Sequence, residues 1–259
     1  MRTVSVNGLR IAYATAGAGS PAVCLVHGTG GSTNVWAHQL DGLADVAHTV
    51  AVDLPGHSGS DGTIPKRIED AAAIVAAFLD AIGISRVVIG GHSMGGAIAQ
   101  QFALAYPDRV EGLVLVGTGA RLRVLPRLLD LLASDSERGV DLLMSLAIGA
   151  EAPAELRTAL HRATADNPPG VVLGDLQACD VFDVMSRIAT VNVPTLAICG
   201  AEDRLTPPKY SRFFGERIAG ARVVVVPGAG HYVQVEKPRE TTAAIREFVA
   251  GLGRRAPRE

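Results

Sequence analysis

The chain is expected to fold as an α/β protein around a mostly parallel sheet, with a block of helices inserted late in the chain. Three observations carry that expectation. Short apolar, β-branched runs such as Ala22–Val26, Val87-Val88-Ile89 and Val110–Val116 have the length and composition of strands buried on both faces. Helical stretches alternate with them, and a strand–helix–strand rhythm demands parallel strands joined by right-handed crossovers. From Ala120 to about Val191 the rhythm stops and only helical patterns remain.

Taken in order, residues 3–6 and 9–14 alternate apolar and polar side chains around Asn7-Gly8, the pattern of a tight β-hairpin. Gly17 to Pro21 break the chain before the first buried strand. Residues 34–44 follow with Val35, Trp36, Leu40 and Leu43 near helical spacing, and Trp36, the single tryptophan, reads as a core anchor. Residues 48–54 form a strand closed by Pro55-Gly56-His57-Ser58-Gly59-Ser60-Asp61-Gly62, a turn-rich loop in which His57 is a possible site residue but reads better as exposed or structural. A helix is expected over 64–82, since Ile68, Ala71, Ala72, Val75, Phe78, Leu79 and Ile82 share one face, and Gly83 ends it.

The late block divides into helical patterns at 122–132, 139–148, 154–165 and 170–182, with joins such as Ala152-Pro153 and Asn167-Pro168-Pro169. Strand 194–200, helix 207–218, strand 222–226 and a helix over about 239–252 close the chain. The reading is one domain, 1–259, with a helical cap inserted after the sixth strand at about 120–191. Such an insertion lies over the strand ends, where pockets form in parallel sheets.

The stretch Val87 to Gln101 concentrates the chemistry. A buried strand runs into Gly90-Gly91-His92-Ser93-Met94-Gly95-Gly96 and emerges as a good helix former, so Ser93 stands at a sharp strand-to-helix turn. Gly91 and Gly95 give the spacing G-x-S-x-G. A serine in a strained turn needs neighbours without Cβ atoms, and the new helix presents its first N–H groups beside the hydroxyl, where they favour an oxyanion. Earlier, His27-Gly28-Thr29-Gly30-Gly31 follows a buried strand. It lacks the Lys-Ser/Thr of a phosphate-binding loop and does not register as G-x-G-x-x-G, so its better use is to bring the Thr29 amide to a developing oxyanion.

A serine nucleophile needs a base and a carboxylate to orient that base. In this architecture both follow the serine, acid first. Gly200-Ala201-Glu202-Asp203 and Gly228-Ala229-Gly230-His231 each follow a late strand, at the same sheet edge as Ser93. His231 is the histidine in the right loop, and Asp203 is preferred to Glu202 by its place in the loop. The alternative position after the sixth strand, Gly117-Thr118-Gly119, carries no carboxylate. His27 and His92 flank these loops and are candidate pocket residues. Arg121 and Arg123, just after a C-terminal strand edge, are candidates for binding a substrate carboxylate, set against the blander reading of exposed helix charges.

Composition narrows the field. A formal net charge of −2 offers no broad basic excess for nucleic acid. Cys24, Cys179 and Cys199 are widely spaced and fit buried free thiols of a reducing compartment, with no metal spacing. No run is long enough to cross a bilayer and no signal-like core begins the chain, so a soluble cytoplasmic placement is expected, with no metal, cofactor, nucleic-acid or membrane partner. The basic run Arg254-Arg255-Ala256-Pro257-Arg258 reads as a frayed, solvated end.

With these residues in hand, the chain resembles the α/β-hydrolase fold, in its large group of capped serine esterases, lactonases (3-oxoadipate enol-lactonase-like) and C–C hydrolases. His27–Gly31, the loop 53–60, Gly91–Gly95, Gly200–Asp203 and Gly228–His231 carry the resemblance, which spans nearly all of the chain outside the cap. Ser58 departs from the glycine found in many relatives. The resemblance implies Ser93 as nucleophile, His231 as base and then acid, Asp203 as orienter, and the amides of Thr29 and Met94 as the oxyanion hole. It implies hydrolysis of a small ester or lactone through an acyl-enzyme, by a monomer or small homo-oligomer. C–C bond hydrolysis of a diketone is the alternative within the group, and a ligand receptor that keeps the triad is the non-enzymatic one. Serine in place of aspartate at position 93 disfavours epoxide and carbon–halogen chemistry.

Overall fold

A computed structural model describes residues 1–252, so the basic run at 254–258 lies outside the described residues. Eight strands form one sheet: β1 (Arg2–Val6), β2 (Leu9–Ala16), β3 (Ala22–Val26), β4 (His48–Val52), β5 (Val87–His92), β6 (Val110–Val116), β7 (Thr195–Gly200) and β8 (Arg222–Val226), in the order 1-2-4-3-5-6-7-8. Strands β3 to β8 are mutually parallel, and β2 joins β4 antiparallel. The expected hairpin of β1 and β2 is present, with Asn7 and Gly8 both at positive φ (50° and 82°), the conformation an Asn-Gly turn supplies.

Alternate residues of β3 divide between two cores. Cys24 and Val26 face a layer built with α2 (Ile68–Ala81) and α3 (Met94–Ala105), while Val23 and Leu25 face α1 (Ala37–Leu43) and the C-terminal helix 238–252. Trp36 is fully buried in the second layer, as an anchor should be. All three cysteines are free and buried, and burial pushes the Cys24 thiol up to about 12.

Four helices lie between β6 and β7: α4 (Pro126–Ser134), α5 (Ser136–Ala147), α6 (Ala154–Ala165) and α7 (Val171–Asp180). They enclose an apolar cluster of their own, including Leu128, Leu143, Met144, Leu160 and Leu176, completed by Tyr232 from the far end of the chain. After β7 come α8 (Pro208–Arg217), then a short α9 (Val233–Glu236) and α10 (Pro238–Leu252). The α9 turn has no counterpart in the sequence expectation.

Two helix starts fall four residues later than the sequence expectation, both at prolines, and the helix expected from Gly139 begins earlier, at Ser136, where Asp135 caps it. The helix expected from 64 begins at Ile68, because Pro65 keeps Ile64 out of helical backbone and Arg67 is extended. The helix expected from Leu122 begins at Pro126, with Leu125 extended before it (φ −62°, ψ 122°) and Arg121 bridged to Asp183 as an antiparallel pair. His57 is not exposed; it is completely buried.

The close approach of α3 to β3 fixes the centre of the molecule. A methyl group on Gly95 would stand 2.5 Å from the His27 carbonyl oxygen and closer still to that of Val26. Gly-to-Ala inside a helix ordinarily stabilises by about 1 kcal/mol. Gly95→Ala is expected to do the reverse, lowering the unfolding free energy by about 3 kcal/mol or more in a urea titration, since backbone atoms cannot move aside.

Candidate active site

Ser93 follows β5 directly and sits at φ 53°, ψ −116°, a strained conformation for a side-chain-bearing residue. The turn is held from both flanks: Ser93 N–H donates to the Val116 carbonyl (2.9 Å), and its own carbonyl accepts from Thr118 Oγ1 (2.8 Å). Gly28 lies so close that a Cβ there would be 3.1 Å from the Ser93 Cβ. The N–H groups of Thr29 and Met94 have no partner among the described residues. One belongs to the loop after β3, whose Gly28 lies against Ser93, and the other to the first position of α3, directly after Ser93.

Asp203 and His231 meet at the ends of β7 and β8. The His231 Nδ1–H donates to Asp203 Oδ2 (2.9 Å), and both side chains are almost completely buried. Asp203 is a fully satisfied acceptor: Oδ1 takes the amides of Leu205 (2.9 Å) and Thr206 (2.8 Å), and Oδ2 also takes the Thr206 hydroxyl (2.7 Å). Burial alone would raise the Asp203 pKa, but the His231 charge and hydrogen bonds from His231 and Thr206 overcome it and bring it down to about 2. Glu202, the rejected alternative, instead accepts from the Ala150 amide on the exposed side (2.8 Å).

The other candidate residues fall elsewhere. His27 is buried, its Nδ1 donating to the Gly28 carbonyl (2.8 Å) and its Nε2 accepting from the Leu54 amide (3.1 Å). Burial and neighbouring His57 lower its pKa to about 3, so it stays neutral and structural. His92 is buried too; its Nε2 donates to the His231 carbonyl (3.0 Å) and its ring packs 4.6 Å from that of His231. It braces the histidine loop from behind. Arg121 turns to Asp183 (3.7 Å) and Arg123 to the Asp180 carbonyl (3.0 Å), both exposed. The geometry therefore favours the blander reading of these two arginines.

Sequence reasoning overlooked Glu236. Its Oε2 accepts from Gly230 N–H (2.9 Å) and Gly149 N–H (3.0 Å), and its Oε1 from Tyr232 N–H (3.0 Å). One carboxylate thus grips the amides on either side of His231 and ties them to the loop after α5. His231 N–H itself donates to the Ala147 carbonyl (2.6 Å). The available signal was a carboxylate five residues after the histidine, on a stretch too short to show helical period.

A groove of about 800 Å³ opens at this edge. Gly30 and Tyr232, chain neighbours of Thr29 and His231, form part of its wall, although Ser93 itself does not. Leu156, Ala159, Leu160, Ala163, Val35 and Val235 give it an apolar lining, and its charged lining residues are Asp61 and Asp166. Each of these has an arginine partner, Arg10 and Arg162.

A sequence profile of the alpha/beta hydrolase fold matches residues 21–238, and the chain belongs to that family. Among curated relatives, the dihydrolipoyllysine-residue acetyltransferase component of the acetoin cleaving system of Cupriavidus necator is 31% identical over 95% of this chain and 68% of its own length. A pimeloyl-[acyl-carrier protein] methyl ester esterase of Neisseria meningitidis is 28% identical over 89% of this chain and 77% of its own. Among solved structures, a thermophilic esterase is 35% identical, with a TM-score of 0.87 covering 97% of this chain and 98% of the other. The chain is a hydrolytic enzyme of esterase type. No helix among the described residues is long and apolar enough to cross a membrane.

The depressed Asp203 pKa has a consequence for stability. A carboxyl whose folded pKa lies below its unfolded value stabilises the fold above the unfolded pKa, and that contribution is lost as pH falls through the folded one. Between about pH 4 and pH 2 the wild type is expected to lose roughly 2 kcal/mol more unfolding free energy than Asp203→Asn. Urea titrations of both proteins across that window test this.

Proposed function

We propose that this hydrolase cleaves an uncharged carboxylic ester through an acyl-enzyme on Ser93. The observation that carries the reading is the buried Asp203–His231 pair at the same sheet edge as a strained serine flanked by two unpartnered amides. Asp203 holds His231 in the tautomer that leaves Nε2 free to accept a proton. As Ser93 Oγ attacks the carbonyl carbon, Nε2 takes the hydroxyl proton, and the Thr29 and Met94 amides receive the charge forming on the carbonyl oxygen. Collapse of the tetrahedral intermediate breaks the bond to the alcohol, which leaves with the proton from His231. A water molecule then gives its proton to Nε2, adds to the acyl carbon, and releases the acid and the free serine.

The preference for an uncharged substrate follows from the walls. The lining of the groove contains no lysine or arginine, its two carboxylates already face arginines, and Arg121 and Arg123 are engaged elsewhere. An anionic substrate would enter without a counter-charge, whereas an aliphatic acyl or alcohol group would gain about 0.8 kcal/mol per buried methylene. A cyclic ester presents the same carbonyl, so uncharged lactones fall within the reading. We take residues of about 120–191 as the cap that shapes this groove.

Ser93→Ala is expected to lower turnover of p-nitrophenyl butyrate at least 10³-fold while the protein remains folded by circular dichroism. In the wild type, kcat/KM for that ester should exceed the value for a hemisuccinate ester of the same alcohol by at least about tenfold. Arg121→Ala and Arg123→Ala should leave that ratio unchanged. Full activity of Ser93→Ala, or a preference for the anionic ester that either arginine variant abolishes, would contradict the reading.

A further inference from the structure

The fold holds a second buried histidine–carboxylate pair that the ester chemistry does not use. His57, in the loop after β4, places Nε2 2.9 Å from Oδ2 of Asp175 on α7, with side-chain exposures of 0% and 1%. The other ring nitrogen, Nδ1, lies 3.1 Å from the Pro55 carbonyl. The two ring nitrogens thus lie against a carboxylate and a carbonyl, and both are committed to bonds within the fold. Burial lowers the His57 pKa, but the Asp175 hydrogen bond and charge, the Pro55 carbonyl and Asp53 together raise it above its ordinary value. Buried charges are costly unless paired, and one left alone is strongly destabilising. Such a pair ties whatever it joins tightly.

It joins α7 to the loop after β3. Asp175 Oδ2 also accepts the Gly30 N–H (2.9 Å), and Asn167 Nδ2, just before α7, donates to the Gly30 carbonyl (2.8 Å). Gly30 itself sits at φ +57°. Both polar groups of the residue after Thr29 are therefore held by side chains from the helical insertion. Gly174, one residue before Asp175, packs against Ile64, so α7 is also seated on the loop that carries His57.

We propose that Asp175, supported by His57 and Asn167, is a positioning residue for the oxyanion hole: it fixes the peptide following Thr29, so that the Thr29 amide takes its catalytic direction only while α7 is seated. The helical insertion is then a condition for charge stabilisation as well as a wall of the groove. This rests on reading Thr29 as an oxyanion donor to Ser93 chemistry.

The test uses the full-length chain with active sites titrated by a fluorophosphonate, so that misfolded protein does not count. For Asp175→Ala, kcat per titrated site on p-nitrophenyl butyrate is expected to fall about tenfold or more with KM within about threefold, because the lost interaction belongs to the transition state. The inhibition constant of phenylboronic acid, which forms a tetrahedral adduct on a serine, should weaken by the same factor. Asn167→Ala should shift both quantities in the same direction by about threefold. Asp175→Asn keeps an oxygen for the Gly30 amide and should fall between Asp175→Ala and the wild type. Unchanged kcat per site and unchanged boronate affinity in both alanine variants, with only the melting temperature lowered, would overturn the proposal and leave Asp175 as a structural brace. Boronate binding that survives Ser93→Ala undiminished would instead overturn the underlying reading of the serine.

Discussion

The strained turn at Ser93 is the constraint around which the active-site edge is built. A side-chain-bearing residue at φ 53°, ψ −116° is held there only because the surroundings over-determine it. Gly91 and Gly95 let β5 fold back into α3, and Gly95 brings that helix against the backbone of Val26 and His27. The same contact places the loop after β3, with its Thr29 amide, beside the start of α3. Serine, the loop after β3 and the helix N-terminus are thus positioned by one packing event rather than three. The cost is a site intolerant of any added methyl group.

Two buried carboxylates carry the electrostatics around that turn, and they do different work. Asp203 is ringed by four donors and holds the His231 imidazole at the sheet edge where β5 ends. Asp175 faces a histidine whose two ring nitrogens are both committed within the fold, and it holds its partners in place. Glu236 adds a third grip, on the amides either side of His231. The segment between β6 and β7 supplies the partners at each point: Gly149 for Glu236, the Ala147 carbonyl for His231, and Asp175 and Asn167 for Gly30. The insertion is woven into the active-site edge and is not merely laid over it.

What could be read from the sequence was whatever is encoded locally. The parallel sheet follows from apolar runs alternating with amphipathic helices, and the hairpin from Asn7-Gly8. The Asp203–His231 pairing follows from two loops placed after consecutive late strands, since strand ends in a parallel sheet share an edge. The errors were also local in cause: Pro65 and Pro126 moved two helix starts that apolar period alone set several residues too early. His57 was read as exposed or structural, and the partner that makes it structural lies 118 residues away on α7, a separation that no turn chemistry reveals. Arg121 and Arg123 stand where expected along the chain, but their side chains turn to Asp183 and the Asp180 carbonyl, which periodicity cannot foresee. Long-range polar pairing escapes a reading built on spacing.

The most direct test of the account is to catch the acyl group on the protein. Rapid acid quenching during turnover of p-nitrophenyl butyrate, followed by proteolysis and mass spectrometry, should find one butyryl group on the peptide containing Ser93, on its hydroxyl, and none in the Ser93→Ala protein. Steady turnover with no acyl adduct at any time point, or an adduct on a different residue that accumulates and decays at the catalytic rate, would contradict it.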